Sequence, residues 1–255
     1  MKKEEERRVE RTREGRTKEG YPVFSLSAGA AEGNRVEGVV SQRGQPAEGR
    51  GGVSGRGDWG GMVGLEDSVG GAECFGSQIV VSEDEVPTVR GSVVSEPEDV
   101  ERLQIPAVGA GRTNIYIEAA AKAAKMIQDR PVFAGMIGPY SLAGRLLDVT
   151  EIMFYCYDEP EMVSMLLDKA TEFLISYGKA YKETGANGIM LAEPLAGLLS
   201  PALAEEFSSP YVKRIVDALQ DDNFLVIYHN CGNCTIQMID SILDTGAAAY
   251  HLGTA

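Results

Sequence analysis

One short segment of the chain combines a histidine with two cysteines, in the order Tyr-His-Asn-Cys-Gly-Asn-Cys at residues 228–234. It follows an apolar run at 224–227 that predicts a buried strand, and it precedes a segment at 235–243 that predicts a helix. Imidazole and thiolate are the ligands that zinc prefers, and a catalytic zinc site keeps one position open for a substrate. His229 and Cys231 are therefore candidate metal ligands, and Cys234, in the turn that enters the helix, is a further candidate.

The spacing of His229 and Cys231 is that of two residues on one face of extended backbone, so both side chains could bind one metal ion. The alternative is that the cysteines pack as small hydrophobic residues and the histidine makes ordinary hydrogen bonds. A tetrahedral site needs a further ligand, which would come from Cys234 or from beyond this chain.

Carboxylates near other predicted strand ends are candidates for acid–base chemistry. Glu193 follows a predicted strand at 188–191. It would be a helix-capping or solvated carboxylate, or it would act beside the metal, as a hydrogen-bond partner of a ligand or as a general acid or base. Glu73 and Asp67 lie in an early turn and could face the same end of the sheet. His251, on the last predicted strand, is expected to be a buried structural histidine.

A turn made of Gly138, Pro139, Tyr140 and Ser141 follows the predicted strand at 132–137. Its plainest interpretation is a tight turn before a helix. Its backbone amides and the Tyr140 hydroxyl could also line the mouth of a substrate site.

Strands and helices alternate along the chain after residue 113. The predicted strands are short and almost entirely apolar, as in a parallel sheet that is covered on both faces, at 132–137, 188–191, 224–227 and 248–252. The predicted helices lie at 115–128, 142–147, 150–157, 160–184, 201–219 and 235–243. This pattern indicates a (β/α) barrel or a doubly wound sheet, and in both the chemistry lies at the carboxyl ends of the strands.

The N-terminal quarter of the chain differs from the rest. Ten of the residues at 32–61 are glycine, with no sustained apolar period, so residues 1–61 are predicted to be irregular or disordered, with a short strand at 21–31. A single α/β domain is expected at 62–255, with a small hairpin near 79–89 and a helix start at 95–98.

Composition narrows the classes of partner. The net charge of −14 argues against nucleic acid and anionic membranes. No apolar run reaches the roughly 20 residues that span a bilayer, and no signal peptide is visible. Four cysteines in a chain of 255 residues do not suggest a disulfide framework, so a reducing, cytoplasmic setting is expected.

Residues 62–255 resemble the uroporphyrinogen decarboxylase-like superfamily, and within it the corrinoid-linked methyltransferases of the methylcobamide:coenzyme M type. The residues that carry the resemblance are Ala72-Glu73-Cys74-Phe75-Gly76, 136–143 (MIGPYSLA), Gly185-Ala186-Asn187-Gly188, Glu193-Pro194, Leu199-Ser200-Pro201, Pro210-Tyr211 and 229–233 (HNCGN). The Gly-Pro and His-x-Cys-Gly-Asn segments are the specific ones.

The resemblance implies a (β/α)8 TIM barrel, incomplete here at its C-terminus by about two β/α units. It also implies a zinc ion bound by His229 and Cys231. The family's third ligand is a cysteine downstream of this chain's end, which Cys234 would have to replace. Zinc in this family activates a small thiol, which takes a methyl group from a methylated corrinoid protein. A chain with so much of the barrel absent is expected to be poorly soluble and weakly active.

Two alternatives to methyl transfer stay open. A uroporphyrinogen decarboxylase-type carboxy-lyase is disfavoured, because the arginine-rich substrate loop of those enzymes (Arg-Gln-Ala-Gly-Arg in type) is not found in this acidic chain. The third interpretation is an inactive fragment or a subunit that binds a corrinoid protein. The Gly- and Arg-rich residues 32–61 depart from the family and would fit a local disruption of the reading frame.

Overall fold

Five parallel strands form the central sheet in the computed structural model, which describes residues 62–63, 69–81, 87–128 and 131–252. In chain order the elements are β1 (Met62–Val63), α1 (Gly70–Cys74), β2 (Gln78–Val80), β3 (Thr88–Arg90), α2 (Pro97–Arg102), α3 (Thr113–Met126), β4 (Val132–Ile137), α4 (Pro139–Leu147), α5 (Glu151–Asp158), α6 (Pro160–Glu183), β5 (Gly188–Ala192), a 3-10 turn (Ala196–Leu198), α7 (Pro201–Phe207), α8 (Ser209–Leu219), β6 (Leu225–Asn230), a second 3-10 turn (Thr235–Met238), α9 (Ile239–Asp244) and β7 (Ala249–Leu252). The strand predicted at 21–31 lies outside the described residues.

The sheet order is β1-β4-β5-β6-β7, with every neighbouring pair parallel. Consecutive β/α units therefore lie side by side, as the alternating sequence predicts. Within the described residues β1 and β7 are the outer strands and do not pair with each other, so this part of the sheet is open. The predicted small hairpin is confirmed as the antiparallel pair β2–β3.

The two faces of the sheet are both apolar. One paired row, Met136-Leu191-Tyr228-Tyr250, belongs to the main core, to which the helices contribute most of the buried side chains. On the other face Phe133, Met190 and Ile227 form a separate small cluster with Ala249. The strands are thus apolar because both of their faces are covered.

Several predicted boundaries were wrong for local reasons. The predicted single helix at 201–219 breaks at Ser208, because Pro210 at the start of α8 cannot donate to the preceding turn. The start of α2 is as predicted: it begins at Pro97, and Glu96 caps it in a reciprocal capping box with Asp99. α5 ends at Asp158, one residue later than predicted, and Glu159 is the N-cap residue of α6. In the described part of the chain, no helix combines the length and apolar character needed to cross a membrane.

Candidate active site

The carboxyl ends of β4, β5 and β6 are joined by backbone hydrogen bonds that extend past the strands. Gly138 N donates to Ala192 O at 2.7 Å, and Glu193 N donates to His229 O at 2.8 Å. On the far side of β6 the register pairs His229 with His251 on β7. Candidate residues from four strands therefore meet at one edge of the sheet, as expected for an α/β site.

His229 and His251 contact each other through their rings. His229 Nδ1 lies 2.8 Å from His251 Nδ1 and 3.0 Å from the His251 carbonyl oxygen. Burial lowers the pKa of both rings, and the pKa of His251 is lowered further by the neighbouring His229. The neutral imidazole, which is the form that binds metals, is therefore favoured at this end of the sheet. His251, predicted to be buried, is only partly buried.

Cys231 is exposed at a sharp bend just after β6. The bend is made by the buried side chain of Asn230, whose Oδ1 accepts from Gly232 N at 2.8 Å and from Thr235 Oγ1 at 3.2 Å. Asn230 Nδ2 donates to the Tyr228 hydroxyl at 3.0 Å. The strand ends at Asn230, one residue before Cys231, so the common direction of the His229 and Cys231 side chains stays a prediction. The strand ends three residues later than the sequence predicts.

Two glycines allow this bend to pack against the turn after β5. A Cβ on Gly232 would lie 2.3 Å from Gly197 Cα, and a Cβ on Gly197 would lie 2.5 Å from Gly232 Cα. Cys234 N donates to Gly197 O at 3.2 Å in the same contact. The backbones approach so closely that neither position has room for a side chain.

Cys234 packs against the main apolar core and is only partly exposed. Among the described residues, no group of three or more His, Cys, Asp or Glu side chains is placed to hold a metal ion. This part of the chain therefore offers the donor types of a zinc site in His229 and Cys231, and not a complete set of ligands.

Glu193 is fully buried and accepts three hydrogen bonds at the start of α4. They come from Tyr140 N at 2.8 Å, Ser141 N at 3.0 Å and Ser141 Oγ at 2.7 Å. Burial raises the pKa of Glu193 to about 7, although these hydrogen bonds act in the opposite direction. These contacts are those of a helix cap, since Glu193 accepts from backbone amides in the first turn of α4, which have no partner within the helix. A catalytic role for Glu193 stays a prediction.

The Gly-Pro segment is the start of α4 rather than a loop: Gly138 is the N-cap residue and Pro139 is the first helical residue. Tyr140 is fully buried, and its hydroxyl lies 3.7 Å from Cys156 Sγ. Its amide is used by Glu193. Both polar groups of Tyr140 thus have partners within the protein, and a role of this segment in lining a substrate site stays a prediction.

Glu73 lies on α1 and pairs with Arg112, whose Nε is 2.7 Å from Glu73 Oε2. Both side chains are partly shielded from solvent, with 29% of Glu73 and 13% of Arg112 exposed. The pair ties α1 to the turn before α3. No described contact brings Glu73 to the histidine pair, and Asp67 lies outside the described residues.

Sequence reasoning missed three features that shape this site: the close approach of Gly197, the hydrogen bonds of Asn230 and the contact of His251 with His229. Aligning the last residues of the two predicted strands, 227 and 252, would not have paired the histidines, because β6 runs on to Asn230 before it ends opposite Leu252. The Gly197–Gly232 contact has no sequence signal either.

Residues 61–255 match the uroporphyrinogen decarboxylase (URO-D) family. The chain belongs to this family. Among curated relatives, a methylcobamide:CoM methyltransferase MtbA of Methanosarcina acetivorans is 33% identical over 64% of this chain and 49% of its own length. A methylcobamide:CoM methyltransferase MtaA of Methanosarcina barkeri is 27% identical over 56% of this chain and 43% of its own length.

A uroporphyrinogen decarboxylase of Coxiella burnetii is 29% identical over 65% of this chain and 49% of its own length. The chain thus spans about half the length of the curated relatives that it matches. A solved methyltransferase from Methanosarcina mazei shares the fold, with a TM-score of 0.81 at 22% identity over 95% of this chain and 74% of that chain. The predicted family and the TIM-barrel type of fold are confirmed, with the described sheet left open.

Proposed function

We propose that this protein takes part in the transfer of a methyl group from a methylated corrinoid protein to a small thiol, as a zinc-dependent methyltransferase. The observation that carries the proposal is the exposed Cys231 thiol two residues after His229, at the carboxyl end of β6, in a chain 33% identical to a methylcobamide:CoM methyltransferase. Four thiols without disulfides suit a reducing cytoplasm as the place of this activity.

His229 and Cys231 would hold the zinc, and the third ligand would be Cys234 or a residue outside the described part of the chain. Zinc bound there would favour the thiolate form of the acceptor thiol. The chain's own contribution is to hold the ligands: His229 is fixed by β6 and β7, and Cys231 is fixed by the Asn230 bend and its glycine contact.

Zinc content tests the proposal directly. The 255-residue chain is purified without chelators, and its zinc is measured by mass spectrometry and by competition with a zinc-binding dye. Cys231→Ser should abolish tight binding, because a serine hydroxyl is a poor zinc ligand at neutral pH. The matched control is Cys74→Ser, at the end of α1. Cys74 Sγ donates to Ala110 O at 3.1 Å, and a serine hydroxyl can make the same hydrogen bond. Metal-free protein with intact thiols would contradict the proposal.

Methyl transfer is measured from methylcobalamin to a series of thiols, with the same two variants. We expect transfer by the wild-type chain and by Cys74→Ser, and its loss in Cys231→Ser. The acceptor thiol is identified by which member of the series gives the highest rate.

A carboxy-lyase is the second candidate, because a uroporphyrinogen decarboxylase is 29% identical over 65% of this chain. A porphyrinogen carries many carboxylates, which fit poorly with a net charge of −14. Decarboxylation of uroporphyrinogen that survives Cys231→Ser would favour this candidate. Binding of a corrinoid protein without either activity would favour an inactive or purely binding role.

A further inference from the structure

The hydrogen bonds of His229 decide which of its nitrogens carries the proton. Its Nδ1 has two neighbours, the His251 carbonyl oxygen at 3.0 Å and His251 Nδ1 at 2.8 Å. A carbonyl oxygen can only accept, so His229 Nδ1 must donate. A neutral imidazole has one N–H, which leaves a lone pair on His229 Nε2.

The same logic fixes the proton of His251. Because His229 Nδ1 donates, His251 Nδ1 at 2.8 Å must accept, and the proton of His251 lies on its Nε2. In the reverse arrangement His251 Nδ1 would donate to a lone pair on His229 Nδ1. That lone pair would then face the carbonyl oxygen at 3.0 Å, which is repulsive.

We infer that His251 is a positioning residue, which holds His229 in the form protonated at Nδ1 and leaves Nε2 as the nitrogen that binds a ligand. Parallel pairing of β6 and β7 places the two rings side by side, so no other side chain is needed to bring them together. Histidines that bind metals usually donate their other N–H to a carbonyl, carboxylate or similar acceptor, which sets the tautomer and the ring orientation. The inference rests on the proposed function only in naming zinc as the ligand.

Nitrogen-15 and carbon-13 NMR of the imidazoles tests the tautomer in metal-free protein. The chain has two histidines, so any substitution of His251 leaves His229 as a single resolved ring. We expect His229 protonated at Nδ1 in the wild-type chain and in His251→Asn, whose side-chain oxygen replaces the Nδ1 acceptor. His251→Leu, of similar volume, keeps the backbone carbonyl and removes the ring acceptor, so it should raise the fraction protonated at Nε2 without converting the ring completely. Protonation of wild-type His229 at Nε2, or an unchanged spectrum in His251→Leu, would overturn the inference.

Zinc affinity supplies the second readout in the same three proteins. Loss of an acceptor behind a metal-binding histidine weakens binding by about 10- to 100-fold. The carbonyl acceptor remains in His251→Leu, so this variant should weaken zinc binding by about 10-fold, the lower end of that range, and His251→Asn should recover most of the affinity. Equal affinity in His251→Leu and wild type would refute the inference and leave the proposed function standing. A wild-type chain that binds no zinc but shows His229 protonated at Nδ1 would refute the proposed function and leave the tautomer assignment standing.

Discussion

Gly138 leaves the space that the Glu193 side chain occupies. A Cβ at position 138 would lie 2.3 Å from Glu193 Cγ and 2.4 Å from Glu193 Oε1. The carboxylate that passes through this space accepts from two amides at the start of α4. The Gly-Pro turn after β4 and the Glu-Pro turn after β5 are therefore a single interlocked feature, although 55 positions separate Gly138 from Glu193.

Gly138→Ala should destabilise the protein by about 1–3 kcal/mol, because the added methyl group displaces a side chain that has no room to move. The measurement is the free energy of unfolding from urea titration. Gly144→Ala, in the same helix, is the matched control. The one atom closer than about 3 Å to its Cβ would be Leu195 Cδ1 at 2.7 Å, the end of a flexible side chain, and alanine favours a helix interior. A Gly138→Ala variant as stable as Gly144→Ala would show that Glu193 is not held as described.

The ionisation of Glu193 should make stability fall as pH rises. Its pKa is about 7 in the folded protein, against an ordinary value of 4.5, so between these values the folded state binds more protons than the unfolded state. By linkage, the free energy of unfolding decreases through this window, by up to about 3 kcal/mol for this one group. The cause is burial, which penalises the charged form more than the three hydrogen bonds favour it.

Glu193→Gln isolates this contribution, because glutamine has nearly the same shape and does not titrate. Unfolding is measured for both proteins between about pH 5 and about pH 8. The wild-type chain should lose stability relative to Glu193→Gln as the pH rises. A stability difference that is constant, or that changes in the opposite direction, would mean that the carboxylate is ionised throughout.

The sequence predicted the strands of the sheet well, because an apolar run covered on both faces leaves a clear pattern, as at 132–137 and 188–191. It placed the end of β6 three residues early, since Tyr228, His229 and Asn230 are not a run of apolar side chains although they pair with β5 or β7. These residues belong to the strand because their backbones pair with neighbouring strands. Side-chain hydropathy does not predict that pairing.

The roles of Glu193 and Cys231 could be narrowed from sequence but not decided. The residue type and position of Glu193 are compatible with both interpretations. Its capping contacts with α4 can be predicted only when β4 and β5 are known to be neighbours. The position of the Cys231 backbone depends on the Asn230 bend and on the close contact of Gly232 with Gly197. The Asn230 contacts are local, but the partners of Glu193 and the Gly197–Gly232 contact join residues distant in sequence, which no local pattern encodes.

Gly232→Ala should disturb the site without unfolding the chain. Its methyl group would lie 2.3 Å from Gly197 Cα, which is backbone, so the bend that holds Cys231 must move. We expect a loss of about 1–3 kcal/mol in stability and a clear loss of zinc affinity. Asn233→Ala is the control in the same bend, since Asn233 is exposed. Zinc binding by Gly232→Ala that matches Asn233→Ala would show that the bend does not position Cys231.

The ion pair of Glu73 with Arg112 should contribute to stability rather than to chemistry. Its 2.7 Å contact is partly shielded from solvent and joins α1 to the turn before α3. Hydrogen bonds to charged groups contribute about 1.5–3 kcal/mol when shielded, and exposed ion pairs contribute up to about 1 kcal/mol, so partial exposure places this pair near about 1 kcal/mol.

Glu73→Gln and Arg112→Met, with the double variant, give the coupling energy by a double-mutant cycle in urea. We expect a coupling of about 1 kcal/mol and zinc affinity unchanged in Glu73→Gln, because Glu73 is held by Arg112 and makes no described contact with the histidine pair. The sequence alone also allowed a catalytic Glu73. A Glu73→Gln variant with normal stability and strongly reduced methyl transfer would favour that role over the structural one.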